Sequence, residues 1–151
     1  MMDTRELARW ISQEHGRVEE LSSALRDTVS HMPKTHREPW IAELRDVFER
    51  FHAHMLKHMA LEEHEGYLTP VIEAKPSLGA KAERLHHEHR EFERLMGGIR
   101  ELLANVTPAD RLLVRDCCRR IGDLLDYVSH HENRENVLLI DAFCDDIGTK
   151  D

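Results

Sequence analysis

The chain of 151 residues is long enough for one domain with a real core, and 40% hydrophobic with 33% charged residues is ordinary globular chemistry. No apolar run approaches the roughly 20 residues of a spanning helix, and "MMDTRELARW" lacks the apolar stretch of a signal peptide. A net charge of -8 argues against non-specific binding to nucleic acid or to anionic membranes. The three cysteines fit no zinc spacing and no CxxC motif, which suggests reduced thiols and a cytoplasmic location.

In chain order, the periodicity predicts four long amphipathic helices in a single domain spanning 1–151. The first covers about 3–30, with Leu7, Ile11, Val18, Leu25 and Val29 at helical spacing and Asp3 or Thr4 as a cap. "HMPKTHREP" is a loop. The second helix starts near Pro39, a residue suited to a first turn, and runs to about Glu65 with Ile41, Leu44, Val47, Phe48 and Phe51 inward. Gly66 and Pro70 break it, with "TPVIEA" as a short extension, and "KPSLG" is the next loop. The third helix covers about 78–105 and is weakened in its middle by Gly97-Gly98. After "NVTPAD", with Thr107 or Asp110 as cap, the fourth helix runs to about Phe143. No strand-like alternation is present. Four such helices with short loops predict an all-α, antiparallel up-down-up-down four-helix bundle.

Histidine is the unusual residue, with 12 in the chain. Each residue advances about 100° around a helix, so facing can be counted. On the second helix His58 shares a face with Leu44, Val47 and Phe51, and His54 and Glu62 lie within about 40° of it. On the fourth, His131 shares a face with Leu113, Leu124, Tyr127 and Leu138, with Glu135 one turn on. His15 sits between Ile11 and Val18, and His89 between Leu85 and Phe92. His52, Glu63, His64, His87 and His130 point elsewhere. One inward histidine is ordinarily a core residue with one hydrogen-bond partner. Four at one level with two carboxylates are different, because an unpaired buried carboxylate is expensive and a cation removes that cost.

Imidazole with carboxylate suits iron, manganese or zinc, and the absence of a thiolate set argues against structural zinc. Two glutamates shared among four histidines suggest two cations bridged by both carboxylates, roughly 3.5–4 Å apart. Each would have two imidazoles and positions open for a bridging oxygen and a small diatomic ligand. A mainly neutral donor set suits iron. The rival ExxH pairs, Glu49/His52 and Glu83/His86, point away from these faces, so a ferritin-like site is not supported. "HENRE" is not HExxH. Cys117 reads as a small core residue.

"EHGRVEEL", "HMALEEHEGYLTPVI", "HHEHREFERL" and "HHENRENVLL" together resemble the H-HxxxE-H-HxxxE arrangement of hemerythrin-like (HHE cation-binding) proteins, in order and over almost the whole chain. The resemblance implies a four-helix bundle around two non-haem iron ions with an oxo or hydroxo bridge. It implies that His15 and His58 bind one iron, that His89 and His131 bind the other, and that Glu62 and Glu135 bridge them. The sequence departs from the oxygen-carrying hemerythrins, which have HxxxH on the third helix and HxxxxD on the fourth. It sits nearer the bacterial branch linked to nitric oxide, peroxide, iron sensing or iron-centre repair. His54, His86 and Tyr127 are open candidates for an additional ligand or for a hydrogen bond to one.

The expected function is binding or reaction with oxygen, hydrogen peroxide or nitric oxide, with catalase-like or nitric oxide chemistry as its enzymatic form. The alternatives are an iron- or oxygen-responsive regulatory module and an iron-handling or iron-centre repair protein. The expected partners are a small diatomic or peroxide ligand and a redox or regulatory protein, with no nucleic acid and no membrane.

Overall fold

The computed structural model describes residues 4–65 and 68–143. Four long helices carry the fold: α1 (Thr4–Ser30), α2 (Glu38–Glu65), α4 (Gly79–Asn105) and α5 (Arg111–Phe143). The short α3 (Thr69–Ala74) and a 3-10 turn (Pro76–Leu78) join α2 to α4, so "TPVIEA" is a separate helix with Pro70 in its first turn. No strand occurs among the described residues. In the antiparallel bundle α1 packs on α2, α2 on α4, α4 on α5 and α5 back on α1, which closes the ring. No helix of the described residues is long and apolar enough to cross a membrane.

Pro39 lies in the first turn of α2, and Asp110 rather than Thr107 caps α5 by accepting a hydrogen bond from the Leu113 amide at 3.2 Å. Asp3, Gly66 and Cys144 fall outside the described residues, as do the side chains of Thr4 and His64. Two side chains tie helix ends together by satisfying carbonyls that have no partner within their own helix. Trp40 Nε1 donates to the Thr28 carbonyl at 2.7 Å, and Arg45 donates to the Val106 carbonyl at 2.9 Å.

The buried seam of α5 runs Val114, Cys117, Ile121, Leu124, Val128, His131, Glu135, Leu138, Ala142, in alternating steps of three and four. On α4 it runs Ala82, Leu85, His89, Phe92, Met96, Ile99, Leu103, and on α2 Ile41, Leu44, Phe48, Phe51, Met55, His58, Glu62. This is a seven-residue repeat, and against straight 3.6-residue counting it drifts about 20° per repeat. The drift corrects three placements. Leu113 is 40% exposed and Val114 takes its place, because the drift between Leu113 and His131 reaches about 50°. Val47 and His54 lie on the flank of α2, only partly buried, while Phe48 and Met55 fill the seam.

The core has two parts. A large cluster includes Val18, Phe48, Phe51, Met59, Phe92, Met96, Ile121 and Val128. A smaller one at the other end joins Leu7, Ile11, Leu85 and Leu138 to Leu68, Val71 and Leu78 of the α3 segment, which plugs that end of the bundle. What separates the two clusters is polar.

Candidate metal centre

Helices α1, α4 and α5 pass from one apolar cluster to the other through a polar step, and α2 ends in one. On α1 that step is His15, between Ile11 and Val18; on α4 it is His89, between Leu85 and Phe92. On α2 and α5 it is a full turn, His58 with Glu62 and His131 with Glu135. Among the described residues the buried polar side chains are these six and no others, and the most exposed of them, His15, shows 8% of its surface. All six sequence candidates therefore meet in one buried layer.

Each glutamate reaches two histidines, one on its own helix and one across the bundle. Glu62 contacts His58 Nε2 through Oε1, and its Oε2 lies 2.8 Å from His89 Nε2. Glu135 Oε1 lies 2.8 Å from His131 Nε2 and 3.7 Å from His15 Nε2. Two three-donor groups result, His15–His58–Glu135 and Glu62–His89–His131, with the donor atoms of each group within 4.8 Å of one another.

The donor chemistry fits cations. Both Glu62 oxygens, His89 Nε2 and both ring nitrogens of His15 are buried without a hydrogen bond, although carboxylate and imidazole stand close together. A buried polar atom left unsatisfied costs about 1–3 kcal/mol, and several in one layer are hard to reconcile with a purely structural role. Carboxylate and imidazole that converge in this way are satisfied either by shared protons or by a cation between them, and a cation satisfies all of them at once.

The outer nitrogens show how two of the rings are held. His58 Nδ1 donates to Glu14 Oε2 at 2.9 Å, and His131 Nδ1 donates to Glu88 Oε1 at 2.8 Å. Glu88 is anchored in turn by Arg134 at 2.7 Å. A proton fixed on Nδ1 leaves the Nε2 lone pair facing the centre, the arrangement that orients metal-binding imidazoles. Trp10 stacks on His58 with centroids 5.8 Å apart and planes 6° apart. Phe92 meets His131 edge-on at 4.9 Å.

The three open candidates lie around this layer. His54 is on the flank, its Nε2 3.4 Å from Glu14 Oε2, so it faces the carboxylate that holds His58. His86 is exposed and forms a group with Glu63 and His89 on the outer side of His89, where Glu63 Oε1 stands 3.4 Å from His89 Nδ1. Tyr127 packs edge-on against Phe92 at 5.0 Å, beside Glu88. Of the ExxH pairs, Glu49 is bound to Arg100 at 2.6 Å on the surface and Glu83 is exposed. Cys117 is buried in the large cluster, and burial pushes its thiol up to about 11.

Burial lowers the basicity of His58, but the Glu62 and Glu14 carboxylates outweigh it and raise the pKa from 6.5 to about 9. His15 and His131 are also raised: burial opposes the shift, and Glu135 overcomes it. Burial would raise Glu135, yet His131 and His15 hold it below the usual carboxylate range. Without a cation the carboxylates therefore favour protonated imidazole, and a cation that took these nitrogens would have to displace those protons.

Sequence reasoning missed Glu14, Glu88, Trp10 and Glu132. The signal for two of them was present: Glu14 and Glu88 each immediately precede a buried histidine, in "QEHG" and "HEHR". One step of about 100° turns such a side chain toward the adjacent helix.

Comparison with curated proteins and with solved structures returned no match. A family model described as the hemerythrin HHE cation binding domain matches residues 6–143, nearly the whole chain and all six layer residues. The four-helix ring, the buried His/Glu layer and this match agree, and the chain belongs to the hemerythrin HHE cation-binding family.

Proposed function

We propose that this is a non-haem di-iron protein that binds or reacts with small oxidants, namely oxygen, hydrogen peroxide or nitric oxide. The observation that carries the reading is the sharing of Glu62 and Glu135 between two histidine pairs inside a buried layer flanked by apolar clusters. His15 and His58 would hold one iron, His89 and His131 the other, and the two carboxylates would bridge them. Bound there, the irons would supply one-electron chemistry and open positions for a small ligand. The chain's own part is to orient and to exclude. Glu14 and Glu88 aim two of the imidazoles, while the α3 segment and its cluster keep bulk water from one end. Free Cys117 and Cys118 suit a reducing compartment, the cytoplasm in this reading. A redox or regulatory protein would be the partner, with no nucleic acid and no membrane involved.

The experiment is anaerobic loading with ferrous iron, then exposure to air or peroxide. A near-ultraviolet band that shifts with azide is expected; an iron-loaded protein without such a band overturns the reading.

A second reading, an iron- or oxygen-responsive module, is favoured by one feature: the layer joins all four long helices, so its occupancy bears on the whole bundle. It requires melting temperatures that differ between iron-free and iron-loaded protein.

A further inference from the structure

The layer has an approximate twofold relation between the α1–α2 half and the α4–α5 half. Glu14 corresponds to Glu88, His15 to His89, His58 to His131 and Glu62 to Glu135. The relation breaks one residue after each HxxxE histidine, where α2 has Met59 and α5 has Glu132. Met59 is 2% exposed and belongs to the large apolar cluster. Glu132 places a carboxyl oxygen, Oε1, in a buried position with no hydrogen-bond partner among the described residues.

Glu132 lines a polar cleft of about 310 Å³ between α1 and α5, together with His15, Ser22, Val128 and Asn136. His15 is the imidazole that the protein holds least, since neither of its ring nitrogens has a hydrogen-bond partner. Glu132 stands outside the His15–His58–Glu135 donor group and would join it by a turn of its side chain. A half-buried carboxylate beside a loosely held imidazole, its buried Oε1 hydrogen-bonded by nothing, is costly without a cation and well placed with one.

We infer that Glu132 supplies an additional carboxylate donor to the cation held by His15 and His58, which makes the two metal positions chemically unequal. The inference rests on the two-cation reading above. The His15/His58 position then draws on two imidazoles and three carboxylates, and the His89/His131 position on two imidazoles and the two shared carboxylates. The first fills more tightly, and the second keeps more open coordination for an outside ligand.

The test is a titration of metal-free protein with Co(II) against a chromophoric chelator, on wild type, Glu132→Gln and Glu132→Met. Glu132→Met makes the two halves alike and replaces a half-buried carboxylate by an apolar side chain, a change that a fold tolerates well. Wild type should bind two Co(II) with unequal affinity. Both variants should still bind two, with the tighter site weakened by more than about 10-fold, the least that losing even a supporting group costs. Variants that keep both wild-type affinities overturn the role of Glu132 and leave the two-cation centre standing. Wild type that binds no pair of cations overturns both.

Discussion

Glu14 accepts the Nδ1 proton of His58 at 2.9 Å, from the helix next to that of His58 and from the position just before His15. One two-residue step on α1 therefore serves two histidines, offering one as a donor and orienting the other. Glu88 and His89 do the same for His131. Removing the orienting carboxylate should loosen the site without removing a ligand. Glu14→Gln and Glu88→Gln should each weaken cation binding by about 10–100-fold while leaving the stoichiometry at two. His54→Ala, at a residue that faces Glu14 at 3.4 Å and stacks on the outer side of His58, should also keep two cations per chain. A competition titration with Co(II) reads all three, and loss of one cation in His54→Ala would make His54 a ligand.

Trp10 gives an optical report on the centre. Its ring stacks on His58, whereas Trp40 is tied to the Thr28 carbonyl at the far end of α1. Loading with a paramagnetic cation should quench tryptophan emission through Trp10. Trp40→Phe should keep most of the quenching and Trp10→Phe should lose it. Equal quenching in both variants would contradict the placement of the centre beside Trp10.

The pH dependence has opposite signs in the metal-free and loaded protein. His58 is raised on folding from 6.5 to about 9, because the Glu62 and Glu14 carboxylates overcome the effect of burial. Its stabilising contribution is thus complete below about pH 6.5 and is lost as pH rises through about 9. Glu135, depressed in the folded state against the trend of burial by His131 and His15, contributes above its ordinary value of 4.5 and loses that contribution as pH falls. Metal-free protein should melt at a lower temperature at pH 9.5 than at pH 7. Cation affinity should rise over the same interval, with proton release on binding at pH 7, because only neutral imidazole is a ligand. Thermal melts and calorimetry in two buffers of different ionisation heat check both signs.

Gly97 and Gly98 interrupt α4 in composition but not in structure, since the helix is continuous from Gly79 to Asn105. A Cβ added at either position meets nothing within 4 Å. Gly97→Ala and Gly98→Ala should each stabilise the fold by about 0.5–1 kcal/mol, the cost of glycine in a helix interior. Urea denaturation reads the gain, and a loss at either position would show that the packing around the middle of α4 is tighter than this.

The bundle and its six central residues were legible because both rest on local periodicity. The step of about 100° per residue places His15, His58, Glu62, His89, His131 and Glu135 inward over the few turns that matter. The same counting failed over longer spans, at Leu113 and Val47, because the helices follow a seven-residue seam that drifts from the straight count. It also gave His54 the inward place that Met55 holds, a difference of one residue that the drift decides. Glu14, Glu88 and Trp10 were not legible from facing alone. Each sits off its helix's buried seam and gains its role from a partner on a neighbouring helix, a relation that appears only once α1 meets α2 and α4 meets α5.

The central claim is two irons held by shared carboxylates, and iron content per chain is its most direct measure. Protein prepared without chelator and loaded anaerobically with ferrous iron should carry two irons per chain by elemental analysis, and Glu62→Ala with Glu135→Ala should carry none. Less than one iron per chain in the wild type, or two retained in the double variant, would contradict it.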